Sequence, residues 1–341
     1  MSEIRLDLLH NRYVLIAPER LYRPSSFEST ATKDLNRTKC PFCEGNEHLT
    51  PNEIFAIREN SPNNTSWKTR VVPNLYNAVG VEQKEISTRE GIFENIAGVG
   101  AHEVLIDSPN HDKDITELES RSIEFWLKSM INRIDDLKRD KRLIHLSIFK
   151  NYGQNSGATQ IHPHTQLLAL PIMPKNGLDF LKRNYGYYKK RGRGVVQDMV
   201  QNELFAKKRI VEDMENFTAF CPFASSFPFE VIIAPKREIS TLTECREKEI
   251  TELSKIIKSI FEKLHKELGR FDYNLYFNIA PLNSNFQNET YMPSISKNFR
   301  FTLRIVPRIY KLGGFELANE MCINPLLPEE CAKLLKQRGI E

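Results

Sequence analysis

Two short stretches of this chain carry side chains suited to chemistry. The first is Asn155-Ser-Gly-Ala-Thr-Gln-Ile-His162-Pro-His164-Thr-Gln166. A polar loop of this kind can aim backbone N–H groups at an anion, and Gly157 permits close approach. A neutral imidazole beside a phosphate can attack phosphorus and form a phosphoramidate. Alternation along a strand is expected to turn the two imidazoles opposite ways, one toward a metal and the other toward a substrate. Gln166 lies on the face of His164 and can donate to a phosphate oxygen. The second stretch is Cys40-Pro-Phe-Cys43. In a reducing compartment such a pair suggests metal or redox chemistry. The other cysteines (Cys221, Cys245, Cys322, Cys331) are too scattered for a disulfide scaffold.

These residues need elements to hold them. Strands are predicted at 11–18, 69–76, 102–107, 143–149 and 165–170. Between them Thr116 to Lys138 has helical spacing, with Leu118, Phe125, Trp126, Met130, Ile134 and Leu137 on one broad face and Ser120 or Thr116 as the cap. Residues 151–159 form the polar loop, and 81–100 an exposed insertion. The order then recurs. Phe217-Thr-Ala-Phe-Cys221-Pro-Phe-Ala224 echoes Cys40-Pro-Phe-Cys43, and Phe229-Glu-Val-Ile-Ile233 echoes His102-Glu-Val-Leu-Ile106. Glu249 to Leu268 repeats the helix. Tyr273 to Asn278 and Phe301 to Pro307 repeat the last two strands. Two copies of one α+β unit follow, each a mostly antiparallel sheet with a packed helix. The expected organisation is 1–174 as the equipped unit, 175–214 as a linker with a helix, and 215–341 as a degenerate second unit. In the second copy Ala224 stands for Cys43, and Asn298 and Arg300 stand for the two histidines. Lys189-Lys-Arg-Gly-Arg193 in the linker reads as a solvated basic turn. Phe180, Tyr185, Tyr187 and Tyr188 are expected to pack the linker on the body.

The chain has 341 residues, 48 Lys+Arg against 44 Asp+Glu, and 40% hydrophobic residues. That balance excludes collagen, coiled coil and wholesale disorder. A net charge of +4 is too small to argue for nucleic acid or membrane. No apolar run approaches the roughly 20 residues that span a bilayer. The start of the chain lacks an apolar signal core, so the expected location is cytoplasmic.

Taken in order, the pieces resemble the galactose-1-phosphate uridylyltransferase family, a branch of the histidine-triad superfamily. They are Ala17-Pro-Glu-Arg20-Leu-Tyr-Arg23-Pro, Cys40-Pro-Phe-Cys43, Arg70-Val-Val-Pro-Asn74-Leu-Tyr-Asn-Ala78 and His102-Glu-Val-Leu-Ile-Asp-Ser-Pro-Asn-His111. Gly157 to Gln166, Gly192 to Asp198 and Ile305 to Glu316 complete the set. The resemblance spans nearly the whole chain. It implies a duplicated histidine-triad (HIT-like) fold, which agrees with the internal echoes.

The resemblance also implies roles. His164 would be the nucleophile, attacking the α-phosphorus of a nucleotide sugar to give a nucleotidyl-histidine and release a sugar 1-phosphate. A phosphate-bearing acceptor would then take the nucleotide. Gln166 marks the transferase branches, where the hydrolases hold a third histidine. Glutamine is no acid at neutral pH, but a phosphate leaving group needs little proton assistance. Arg20 and Arg23 would meet the phosphates. Asn74 would line the nucleotide pocket, with Asn151, Gly157 and Thr159 around the phosphates. Lys311 and Glu316 would reach a sugar, in the family often across a homodimer. Cys40, Cys43, His111 and His162 match four ligands of one structural zinc, a set that suits tetrahedral coordination. His48 and His102 are competing ligands.

Thr302 and Arg304 stand where many relatives carry His and Glu, so no second metal is expected. Arg304 beside Arg300 would instead suit a small anion. The leading expectation is a UDP-glucose–hexose-1-phosphate uridylyltransferase. Its rival is an adenylyltransferase or phosphorylase acting on ADP-glucose or another adenylyl anhydride, with phosphate as acceptor. A nucleotide-binding protein without turnover and a metal-dependent DNA binder are weaker readings. The intact His164 and Gln166 oppose the first. The lone CxxC opposes the second.

Overall fold

The computed structural model describes residues 2–22, 40–284 and 294–339. Its first strands are β1 (Glu3–Asp7), β2 (Arg12–Ile16), β3 (Phe55–Arg58), β4 (Trp67–Pro73), β5 (Ser87–Glu90), β6 (Phe93–Ile96) and β7 (Ala101–Ile106). Helix α1 (Ser120–Leu137), β8 (His145–Tyr152) and β9 (His164–Leu170) complete the first half. Helices α2 (Lys175–Arg191) and α3 (Val195–Ala206) lead to β10 (Ile210–Asp213), β11 (Phe217–Phe220) and β12 (Val231–Pro235). Then follow α4 (Glu247–Leu268), β13 (Tyr273–Asn278), α5 (Ile295–Asn298) and β14 (Thr302–Pro307). The chain closes with α6 (Gly314–Asn319), β15 (Cys322–Asn324) and α7 (Pro328–Gln337).

Ten strands share one sheet in the order β10-β11-β12-β14-β13-β8-β9-β7-β4-β3, and all of its pairings are antiparallel. The order mirrors itself about the β8–β13 pair. Four echoes fall on matching elements: β7 with β12, α1 with α4, β8 with β13, and β9 with β14. The Cys-Pro-Phe echo does not. Cys40 and Cys43 precede β3, whereas Cys221 follows β11, which matches β4. Cys221 is fully buried, and desolvation raises its thiol pKa well above the ordinary value, so it is no thiolate ligand.

Helices α1 and α4 cover one face of the sheet. Their apolar residues recur at helical spacing: Ile123, Trp126, Leu127, Met130 and Ile134 on α1, and Leu253, Ile257, Ile260, Phe261 and Leu264 on α4. They meet Leu105, Ile148, Leu167, Ala169, Leu275 and Leu303 from the strands. Each such side chain contributes roughly 1.5–3 kcal/mol when fully buried. Alternation leaves the next residues of each strand on the opposite, open face. On β9 those are His164, Gln166 and Leu168.

Helix α1 begins after Glu119 with no side-chain cap, and a short 3-10 turn precedes it, so neither Ser120 nor Thr116 caps it. The 81–100 segment holds the exposed hairpin β5–β6. The linker is mostly helical, and Phe180 packs edge-on against Phe299. Lys189 to Arg193 are exposed at the end of α2. A small sheet, β1-β2-β15, ties the two ends of the chain together.

Candidate active site

The Cys40-Pro-Phe-Cys43 knuckle is a tight turn. The Cys43 N–H donates to the Cys40 carbonyl at 3.3 Å, and Asn46 Nδ2 donates to the same carbonyl at 2.9 Å. Pro41 suits the second position of such a turn because its φ is preset. The Glu47 carboxylate accepts from Trp67 Nε1 at 2.8 Å and anchors the knuckle to β4.

His111 and His162 arrive from two distant loops. One ligand atom from each of Cys40, Cys43, His111 and His162 lies within 4.8 Å of the others, and all four residues are buried. Cys43 Sγ is 3.2 Å from His111 Nδ1 and 3.6 Å from His162 Nδ1, and Cys40 Sγ is 3.7 Å from His162 Nδ1. His162 Nε2 donates to the Ser108 carbonyl at 2.9 Å, which leaves Nδ1 free to face the sulfurs. Desolvation pushes the His162 pKa down to about 4, so the ring is neutral at pH 7, as a ligand must be. This buried group could hold a metal ion. The competing histidines lie outside it. His48 is exposed, and His102 is engaged elsewhere.

His162 and His164 do part, but not by strand alternation, which would put residues i and i+2 on one face. β9 begins only at His164, and Pro163 precedes it. The His164 Nδ1–H donates to the His162 carbonyl at 3.0 Å. Nε2 therefore keeps its lone pair. Burial holds the His164 pKa below the ordinary histidine value, so the ring is neutral and nucleophilic at pH 7. Phe42 of the knuckle packs on this ring, with centroids 5.3 Å apart.

A buried network braces the strand from behind. Lys150 Nζ meets Asp107 Oδ2 at 2.6 Å, Thr165 Oγ1 donates to Asp107 Oδ1 at 2.8 Å, and Trp126 Nε1 donates to Thr165 Oγ1 at 2.8 Å. Thr165 lies between His164 and Gln166, so the network fixes the backbone that carries both. Sequence reasoning missed Ser108, Asp107 and Lys150 in these roles. The one local signal was a lone lysine in the apolar strand Leu146 to Tyr152.

The polar loop is held by the second half. Asp272 Oδ2 accepts the Asn155 N–H at 2.8 Å, and Asn274 Nδ2 donates to Asn151 Oδ1 at 2.8 Å and to the Ser156 carbonyl at 3.0 Å. Gly153 turns the loop at φ +84°, where a Cβ would stand 1.9 Å from Asp272 Oδ1. Gly157 has φ +84° with nothing near its missing Cβ, so its backbone is open to approach. Thr159 is exposed and Asn151 half-buried. A cavity of about 560 Å³ adjoins the loop, lined among others by Ser147, Phe149, Asn151, Asn274, Tyr276 and Arg304. Phe149 pairs across to Gln166.

The other expected residues come from further elements. Asn74 follows β4, and its Nδ2 is 3.1 Å from His102 Nε2. Arg20 sits in a 3-10 turn that follows β2 of the small sheet. Lys311 and Glu316 precede β15 on that same sheet, and Glu316 caps its own helix through the Gly313 N–H at 2.9 Å. Arg23 lies outside the described residues. Arg304 is ion-paired to Glu230 at 2.9 Å, and Arg300 bonds the Pro235 carbonyl and Glu238. Both guanidiniums are already paired, which corrects the expectation of an anion seat there.

Known proteins share this fold. The N-terminal domain model of galactose-1-phosphate uridyl transferase matches residues 1–174, and the C-terminal domain model matches 181–336. ADP-glucose phosphorylase of Arabidopsis thaliana is 30% identical over 98% of this chain and 92% of its own length. Galactose-1-phosphate uridylyltransferase of Thermotoga maritima is 26% identical over the full length of both chains. The crystal structure of the Arabidopsis ADP-glucose phosphorylase with bound ADP-glucose superposes with a TM-score of 0.82, at 27% identity and 99% coverage of each chain. No helix is long and apolar enough to cross a membrane among the described residues. The two matched domain models, which together span most of the chain, and the 30% identical relative make this chain a member of the galactose-1-phosphate uridylyltransferase family, and a nucleotidyltransferase.

Proposed function

We propose that the protein transfers a nucleotidyl group from a nucleotide sugar to a phosphate acceptor through a covalent nucleotidyl-His164. The observation that carries this reading is the buried, neutral His164 ring, whose Nδ1–H is bound to the His162 carbonyl. Nε2 attacks the α-phosphorus, the N–P bond forms, and the P–O bond to the sugar phosphate breaks. The ring becomes positively charged, and the His162 carbonyl accepting from Nδ1–H stabilises that charge. In the second half an acceptor phosphate oxygen attacks phosphorus, and neutral His164 departs. Neither half needs a proton from Gln166.

The donor is ADP-glucose and the acceptor inorganic phosphate, giving ADP and glucose 1-phosphate. The likeness to ADP-glucose phosphorylase favours this over the uridylyl reading, since it exceeds that to the Thermotoga uridylyltransferase over comparable lengths. UDP-glucose with a hexose 1-phosphate is the second reading, favoured by the matching family models.

The metal is zinc. With Zn–S near 2.3 Å and Zn–N near 2.0 Å, tetrahedral S···N edges are about 3.5 Å. The separations of 3.2, 3.6 and 3.7 Å fit that geometry. Zinc here ties the knuckle to the His162 loop and takes no part in transfer.

The working unit is a homodimer. Arg20, Lys311 and Glu316 lie around the small sheet while His164 is on the large one, and a second copy would bring them to the phosphates and sugar. Ile4, Tyr13 and Leu317 near that sheet are 63%, 55% and 72% exposed, an apolar surface suited to a partner.

The test is protein-bound label after incubation with ADP-glucose or UDP-glucose labelled at the α-phosphate. Wild type is expected to take acid-labile label from ADP-glucose, and to release it as ADP on adding phosphate. His164→Ala should take none. Label retained by His164→Ala, or none in wild type with either donor, overturns the covalent reading.

A further inference from the structure

We infer that His102 is a positioning residue for the transfer step, locking the Gln166 amide so that its nitrogen rather than its oxygen faces the phosphate. The inference rests on the nucleotidyl-transfer reading and deepens it. His102 is on β7 and Gln166 on the neighbouring β9, where His102 pairs with Leu168 and Val104 with Gln166. The two side chains are therefore diagonal neighbours on the open face, within reach of each other.

The hydrogen bonds settle the tautomer. The Ala78 N–H lies 3.1 Å from His102 Nδ1. A backbone amide only donates, so Nδ1 is the acceptor and the ring proton is on Nε2. That N–H points at Gln166 Oε1, 3.0 Å away. Asn74 Nδ2, 3.1 Å from Nε2, then cannot donate to that protonated nitrogen. Its own oxygen accepts from the Tyr76 N–H at 2.9 Å, and its backbone N–H donates to the His102 carbonyl at 2.8 Å.

With Oε1 occupied, Gln166 offers only N–H donors. An ionised phosphate offers only acceptor oxygens. A free primary amide would turn either end to that anion, and the wrong end repels it. The 74–78 turn thus holds His102 at its backbone and its ring, and His102 holds Gln166. Both ring nitrogens are committed, so the histidine works as a fixed donor.

Nitrogen–proton correlation spectra of the histidines in the ligand-free protein read the tautomer without turnover. The expected state is Nε2–H with bare Nδ1, and an Nδ1–H tautomer overturns the proposal whatever the substrate. A double-mutant cycle then reads the coupling. His102→Leu should slow formation of the nucleotidyl-enzyme roughly tenfold, about the worth of one hydrogen bond. KM for the nucleotide sugar should stay within about twofold. His102→Gln should restore most of the rate, because its amide N–H reaches the same oxygen and cannot titrate. In a Gln166→Ala background, His102→Leu should cost nothing further. Equal losses in both backgrounds mark a merely structural histidine and overturn the proposal. Failure of the transfer reading looks different: wild type itself takes no label, and the role of His102 falls with it.

Discussion

Gln166 sits two residues beyond a histidine that is buried, neutral and bare at Nε2. Its amide cannot exchange protons near pH 7, so water gains no general base there while a phosphate acceptor needs none. Gln166→His should open the hydrolytic route. Release of free nucleoside monophosphate from the nucleotide sugar, without acceptor, is expected to rise by about tenfold or more. An unchanged background rate would count against this account of the position. The pair proposed to act on the phosphate was legible at this scale because His164 and Gln166 are neighbours in the chain. His102 was read only as a competing ligand. Its partners are 24 and 64 residues away, and no local pattern names them.

The knuckle, the His111 loop and the His162 turn are separate segments that converge on the buried Cys2His2 cluster, and the last two are also tied by the His162–Ser108 hydrogen bond. Loss of one ligand should loosen that junction without dissolving the core beneath α1 and α4. Cys43→Ser is expected to lower zinc content and to drop Tm by roughly 5–10 °C, the effect of a few kcal/mol in a domain of this size. Activity should fall too, since the His162 carbonyl holds His164. His48→Ala should change neither, and elemental analysis with thermal melts checks both variants. Full metal content in active Cys43→Ser would sink the ligand assignment. Strands and long helices were legible from their periodicity. The start of α1 was not, because its first turn is set by packing behind a 3-10 turn rather than by a side-chain cap. The hairpin in 81–100 was missed because its strands are exposed on all faces and show no apolar alternation.

At the scale of the whole molecule the two halves share one sheet, and the second half holds the polar loop of the first through Asp272 and Asn274. The residues expected at the substrate still fall into two groups, one on the large sheet and one on the small. A closed dimer would unite them. Mixing subunits carrying His164→Ala with subunits carrying Arg20→Ala tests this. Neither variant alone should turn over appreciably. Random reassociation makes half the dimers mixed, each with one intact site of two, so about a quarter of wild-type activity is expected. No recovery after verified exchange would place each site within one chain.

The chain by itself determined the duplicated α+β unit, and it named the residues proposed as nucleophile, phosphate donor and metal ligands. Each of these is written in local spacing or in ordered short pieces. Tertiary structure decided the rest. It put Cys221 behind its strand, closed Arg300 and Arg304 into ion pairs, and set His102 between the 74–78 turn and Gln166. Those outcomes depend on which side chains meet across strands distant in sequence. Pairing of charges and donors is fixed by the register and faces of the assembled sheet, which no single segment encodes.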